Sequence, residues 1–212
     1  MTEQAGNGKQ RKSLLYGIAR FLAYIVFHTL YPLHVHDVER INRPAPFLLI
    51  GNHNSWLDPM AMCYRIHGQQ VIFLGKKELV RNPLVRRVLT GMGMIAVDRH
   101  HSDMEAMRAC MKVLRQGRIL LVFPEGTRRH TGLMDQLEGG TALMALRCKV
   151  PLVPVYLDKK FRLFRLVNMY VGPDIPMDDL IAQGVDKAAC DQLLARITGA
   201  YAAMAQKAAN KK

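Results

Sequence analysis

Hydrophobic positions along the chain repeat with two periods. Short runs rich in β-branched and aliphatic residues at 47–50, 71–74, 94–97, 118–123, 152–157 and 166–171 predict strands. Between them, helical spacing predicts helices over 59–66, 141–147 and 187–208. The clearest helix follows Arg99. Ser102 and Glu105 make a capping box, Met104, Met107, Met111 and Leu114 share one face, and Gly117 offers a stop. Strands alternating with helices predict an α/β layer structure: one domain, with a mostly parallel mixed sheet flanked by helices.

The first apolar run needs separate treatment. It extends over residues 14–33, about the length that crosses a bilayer core, without a cleavable small-residue site. Ser13, Gly17, Arg20, Tyr24, His28 and Tyr31 nevertheless recur along one stripe, with Leu14, Ile18, Leu22, Ile25 and Val26 opposite. An amphipathic helix lying in a membrane interface fits this pattern, with Arg11, Lys12 and Arg20 at lipid headgroups. A spanning helix and an ordinary core helix are the alternatives. The predicted organisation is a tail and membrane-association helix over 1–35, then one catalytic domain over 36–212.

Composition narrows the function classes. The 212 residues hold 30 Lys and Arg against 17 Asp and Glu, a net charge of +13, which favours an anionic lipid surface or nucleic acid as partner. Only the charge supports nucleic acid, and the expected partner is lipid. Lys76, Lys77, Arg81, Arg86 and Arg87, interrupted by Leu79, Val80, Leu84, Val85 and Val88, suit such a surface, and the basic 159–165 stretch extends it. The four cysteines are scattered without a C-x-x-C pair, which suggests neither a disulfide framework nor a thiolate metal site.

Candidate chemistry lies just past predicted strand ends. After the 47–50 run comes Gly51-Asn52-His53-Asn54-Ser55-Trp56-Leu57-Asp58-Pro59, where four residues separate His53 from Asp58. A tight turn at that spacing lets the carboxylate reach the second imidazole nitrogen and fix the tautomer, leaving a base suited to a hydroxyl proton. A loop histidine with no catalytic role, and a metal ligand, are the competing readings. No partner ligand motif accompanies the metal reading, so no metal is expected.

The 118–123 strand runs into Pro124-Glu125-Gly126-Thr127-Arg128. There a glycine, a hydroxyl and a guanidinium make a candidate anion cradle. The 94–97 strand closes on Asp98-Arg99 before the capped helix, whose N-terminus also favours an anion. Val150-Pro151-Leu152-Val153-Pro154-Val155 carries two prolines, which suits an edge or a site wall better than a central strand.

These segments, in this order over about residues 44–157, resemble the lysophosphatidate acyltransferase family. The resemblance implies that His53 is the base, that Asp58 orients it, and that Asn52 belongs to the same block. It also implies that Lys76, Arg99, Glu125, Gly126, Thr127, Arg128 and Pro154 hold or line the acceptor's glycerol phosphate. The reaction so implied moves an acyl group from acyl-CoA or acyl-carrier-protein, as co-substrate and not cofactor, to a lysophospholipid hydroxyl. Backbone amides around Gly126 are the expected oxyanion donors, and the expected location is the cytoplasmic face of the cell membrane, peripheral or monotopic.

One position departs from the family pattern: Leu137-Glu138 stands where an aromatic–lysine pair is usual. The missing positive charge keeps other acceptors open, such as a lyso-ornithine lipid or a recycled lysophospholipid. A non-enzymatic basic protein that binds membrane or nucleic acid is the alternative from another class.

Overall fold

The structure, a computed structural model, describes residues 14–97, 104–126 and 132–210. A seven-stranded sheet in the order β1-β7-β6-β2-β5-β3-β4 forms its middle layer. The strands are β1 Leu33–His36, β2 Phe47–Gly51, β3 Val71–Lys76, β4 Met94–Val97, β5 Ile119–Val122, β6 Leu152–Leu157 and β7 Val167–Val171. Every neighbouring pair is parallel except β6 and β7. Strands covered on both faces read as unbroken apolar runs, and β2 and β5 are buried at every position for that reason.

Helices cover both faces. Leu48, Ile50, Leu120 and Leu152 pack against α4 Met104–Arg115, α5 Gly139–Cys148, α6 Asp178–Gln183 and α7 Lys187–Ala209. Phe47, Leu49, Leu121 and Val153 pack against α1 Leu14–Thr29 and α2 Asp58–Tyr64. The remaining helix, α3 Pro83–Gly91, has no buried residue. Its start is nonetheless well defined, because Asn82 Oδ1 accepts the amides of Leu84 and Val85 at 2.9 and 3.3 Å, with Pro83 at the first helical position.

The N-terminal run behaves differently from its expected single helix. Pro32 cannot continue a helix and disfavours helical backbone before it, so α1 stops at Thr29 and β1 begins at Leu33, with β1 carrying the L-H-V-H alternation. The boundary placed at residue 35 therefore falls inside a strand. Tyr16, Ala23 and Phe27 face the core, whereas Leu14, Ile18, Phe21, Leu22 and Ile25 face outward. Arg20 does not point to headgroups as expected: its Nε donates to the Tyr64 carbonyl at 3.1 Å, against the C-terminal end of α2. Among the described residues, no helix is long and apolar enough to cross a membrane.

The strand with two prolines also departs from expectation, since β6 lies inside the sheet between β7 and β2. Its pairing with β7 ends beside Pro154. The register Val155↔Val171 sets Pro154 opposite Gly172, whose amide donates to the Pro154 carbonyl at 2.9 Å. The donor that proline lacks falls where the β7 strand has already finished.

Tyr201 of α7 is fully buried, and its hydroxyl lies 2.8 Å from the Ile50 carbonyl and 3.1 Å from that of Val155. Burial raises its pKa well above the usual phenol value, so the hydroxyl remains a donor throughout the working pH range. Tyr201→Phe removes that donor from two buried carbonyls and is expected to cost about 1–3 kcal/mol, read as a lower urea midpoint at unchanged m-value.

Candidate functional site

Gly51, the last residue of β2, packs closely against Met62 of α2. A Cβ there would meet Met62 Cε at 2.4 Å. This packing sets Asp58, the first residue of α2, directly behind His53. Asp58 is fully buried, and its Oδ2 accepts Nδ1–H of His53 at 3.0 Å and the amides of Asn54 and Ser55 at 2.6 Å each. Because Oδ2 already accepts two backbone N–H groups, it accepts from the ring as well, which places the imidazole proton on Nδ1 and leaves Nε2 as the basic nitrogen. The ring stacks on Phe123 at the end of β5, with centroids 4.2 Å apart and planes at 24°.

Two further polar side chains hold the turn. Asn52 is buried, and its amide closes a ring with Leu157: Nδ2 donates to the carbonyl at 3.0 Å, and Oδ1 accepts the amide at 2.8 Å. Glu125, also buried, accepts the His53 amide on Oε2 at 2.9 Å and the Met134 amide on Oε1 at 3.2 Å. Both residues were expected at the substrate. Both line the groove beside the turn, and their polar atoms are engaged with backbone, where they tie β5 and β6 to the histidine turn.

The other expected residues divide. Lys76 is exposed at the end of β3, in register with Val97 at the end of β4. Pro154 is buried beside Ile50 in the sheet. Gly126 has φ 65, a conformation glycine adopts without strain, and its amide donates to the Phe123 carbonyl at 3.0 Å. That bond occupies the amide of Gly126 itself, and the amides that follow it in the turn lie outside the described residues. Arg99, Thr127 and Arg128, with the Ser102 cap, lie outside the described residues.

A groove of about 290 Å³ opens beside the turn, lined by Asn52, Asn54, Glu125, Tyr156 and Asp158 among others. On the far side of α2 lies a smaller apolar cavity, about 50 Å³, between α1 and α2. Cys63 lines it among mostly apolar side chains, and burial pushes its thiol up to about 12. Such a thiol is not a nucleophile at neutral pH. Among the described residues no cluster of His, Cys, Asp and Glu could hold a metal ion.

Glu138, just before α5, is the residue whose place the sequence left least clear. Its side chain lies against the Gly126 turn, where a Cβ would meet Glu138 Oε1 at 3.0 Å. Its amide donates to the Pro124 carbonyl at 2.7 Å.

The family profile described as Acyltransferase matches residues 32–158. The chain is 30% identical over 154 residues to the 1-acyl-sn-glycerol-3-phosphate acyltransferase of Streptococcus pneumoniae, covering 69% of this chain and 57% of that protein. It is 36% identical over 121 residues to the protein of the same description from Borreliella burgdorferi, covering 56% and 48%. The chain thus spans about half the length of these relatives. Among solved structures, the 1-acyl-sn-glycerophosphate acyltransferase PlsC from Thermotoga maritima superposes with a TM-score of 0.62 at 19% identity, covering 87% of this chain and 75% of that one. At that identity the likeness concerns the fold.

Glu125→Gln keeps the shape of the side chain but turns one of its two acceptors into a donor facing a backbone N–H. The substitution is expected to destabilise the protein by about 1–3 kcal/mol, measured by chemical denaturation.

Proposed function

The chain belongs to the Acyltransferase family, and on that premise we propose that it transfers an acyl group to the free 2-hydroxyl of lysophosphatidate, giving phosphatidate. The observation that carries this reading is the buried His53–Asp58 pair at the end of β2, with the proton on Nδ1 held by a carboxylate. Nε2 takes the proton of the acceptor hydroxyl as its oxygen attacks the thioester carbonyl of acyl-CoA or acyl-carrier-protein. The C–O bond forms, the C–S bond breaks, and the imidazolium returns its proton to the departing thiolate. Asp58 stabilises the imidazolium between these steps. The thiol of Cys63 is too weakly acidic to form an acyl-enzyme, which supports direct attack by the acceptor.

Asn52 and Glu125 act in this scheme as positioning residues. Lys76, Arg99, Thr127 and Arg128 supply the positive charge and donors for the acceptor's phosphate, with Gly126 shaping the turn and Pro154 backing β2. The lipid substrate and product place the enzyme on a membrane, with the outward apolar face of α1 in the interface. The cytoplasmic leaflet, where either donor is at hand, is the proposed location.

Glu138 favours a second reading. A carboxylate against the Gly126 turn opposes a phosphomonoester with two negative charges more than an acceptor of lower or mixed charge, such as a lyso-ornithine lipid or a recycled lysophospholipid. Turnover of a lysolipid panel with both donors separates the two.

His53→Ala is expected to lower kcat by about 10² to 10⁴ while the protein stays folded. Near-normal turnover in that variant would end the proposal. Glu138→Lys is expected to raise kcat/KM for lysophosphatidate about tenfold, from the change in charge beside the phosphate. An unchanged value removes Glu138 from acceptor selection.

A further inference from the structure

One end of the sheet gathers side chains that the reaction does not use. Strands β2, β3, β5 and β6 are parallel, so the histidine turn, the Lys76–Lys77 corner and the 158–166 loop all emerge at the same end. Strands β7 and β1 run opposite to β6 and begin there. This brings the close of α1 beside the loop: Phe164 donates its amide to the Leu30 carbonyl at 2.8 Å, and Val167 donates to that of Pro32 at 3.0 Å. Phe161 is buried against Phe27 and Tyr31, with ring centroids 5.4 and 6.3 Å away.

The tip of the loop faces the other way. Leu163 is 52% exposed and Phe164 66% exposed, with Leu166 exposed beside them. The turn that presents them is closed by the Arg165 amide on the Arg162 carbonyl at 3.1 Å, and Phe164 sits in it at φ 55. That region suits glycine or asparagine and is unfavourable for an aromatic residue. In water, the exposed ring and the strained backbone are both costs, and the bond from the Phe164 amide to Leu30 holds the backbone without covering the ring. Around the tip stand Lys159, Lys160, Arg162 and Arg165, of which only Lys159 has an ion-pair partner among the described residues, Asp158 at 3.4 Å.

Apolar side chains at a protruding tip, ringed by free cations and continuous with the outward apolar face of α1, match an anionic lipid leaflet in both hydrophobicity and charge. They do not match a second copy of this chain, whose own charge is +13. We propose that the 159–166 loop is a membrane wedge. Leu163, Phe164 and Leu166 enter the acyl boundary, while Lys160, Arg162 and Arg165 lie at lipid phosphates. This seats the His53 end of the sheet on the lipid surface. The wedge rests on the lipid-acceptor reading for its purpose, since it holds the turn where a lysolipid hydroxyl surfaces.

The protein carries its own reporter. Trp56 is its one tryptophan, lies between His53 and Asp58, and is 63% exposed. When the full chain is titrated with vesicles containing phosphatidylglycerol, Trp56 emission should shift to the blue and be quenched by brominated acyl chains. Protein that sediments with vesicles while its emission stays unchanged docks by another face, and the proposal fails. Replacing Leu163 and Phe164 together by Glu should weaken vesicle binding by about tenfold or more, from the loss of two buried apolar side chains. The same variant should keep its turnover of a monodisperse short-chain acceptor.

Phe164→Gly separates a structural role from docking, because it relieves the backbone. Its Tm should hold or rise while vesicle binding weakens, and binding equal to the parent's overturns the wedge. Equal binding to phosphatidylcholine vesicles overturns the anionic assignment. A protein inactive on every lysolipid yet still seated through this loop would overturn the acyltransferase reading and support the wedge.

Discussion

A single buried carboxylate oxygen organises the functional end of this molecule. Oδ2 of Asp58 gathers the imidazole of His53 and two consecutive amides into one set of bonds. The turn between them closes around this one acceptor, which is sheltered from water. Burying this oxygen is tolerable because three donors replace its hydration, while Oδ1 of the same carboxyl is buried without a partner among the described residues. The surroundings follow from the same demand. Gly51 admits the helix that carries Asp58, Asn52 and Glu125 fix the flanking backbone, and Phe123 gives the ring a flat surface to rest on.

Much of the frame was legible in the sequence, because a sheet buried on both faces leaves an unmistakable trace of apolar runs. Six of the seven strands fell within a residue or two of their predicted places, and β1 was the exception. Its first residue was absorbed into the preceding apolar run and the rest were given no element, although Pro32 and the L-H-V-H alternation marked the change of period. Helix α3 was read only as a basic patch. Its Asn-Pro start and its amphipathic spacing both carried the helix signal, but its apolar side chains Leu84, Val85 and Val88 are exposed, so the segment reads as a surface patch rather than a core element.

The pairing of His53 with Asp58 was also legible, since spacing alone brings those groups within reach. The roles of Asn52 and Glu125 were not. A polar residue in a motif looks the same whether it faces a ligand or a carbonyl 105 positions away, as Asn52 does with Leu157. Only the register of β6 against β2 distinguishes the two. Arg20 misled for a related reason. Its position on a polar stripe suggested solvent or lipid, whereas the nearest demand for a cation was the carbonyl end of α2.

Tyr201 carries a consequence for the size of the working unit. The family profile ends at residue 158, yet the hydroxyl that steadies the last carbonyl of β2 before Gly51 arrives from a helix beginning at Lys187. The terminal helix is therefore part of the scaffold of the histidine turn. A cut in α7 ahead of Tyr201 would leave the buried carbonyls of Ile50 and Val155 without their donor, so the smallest fragment that keeps this support has to reach past residue 201.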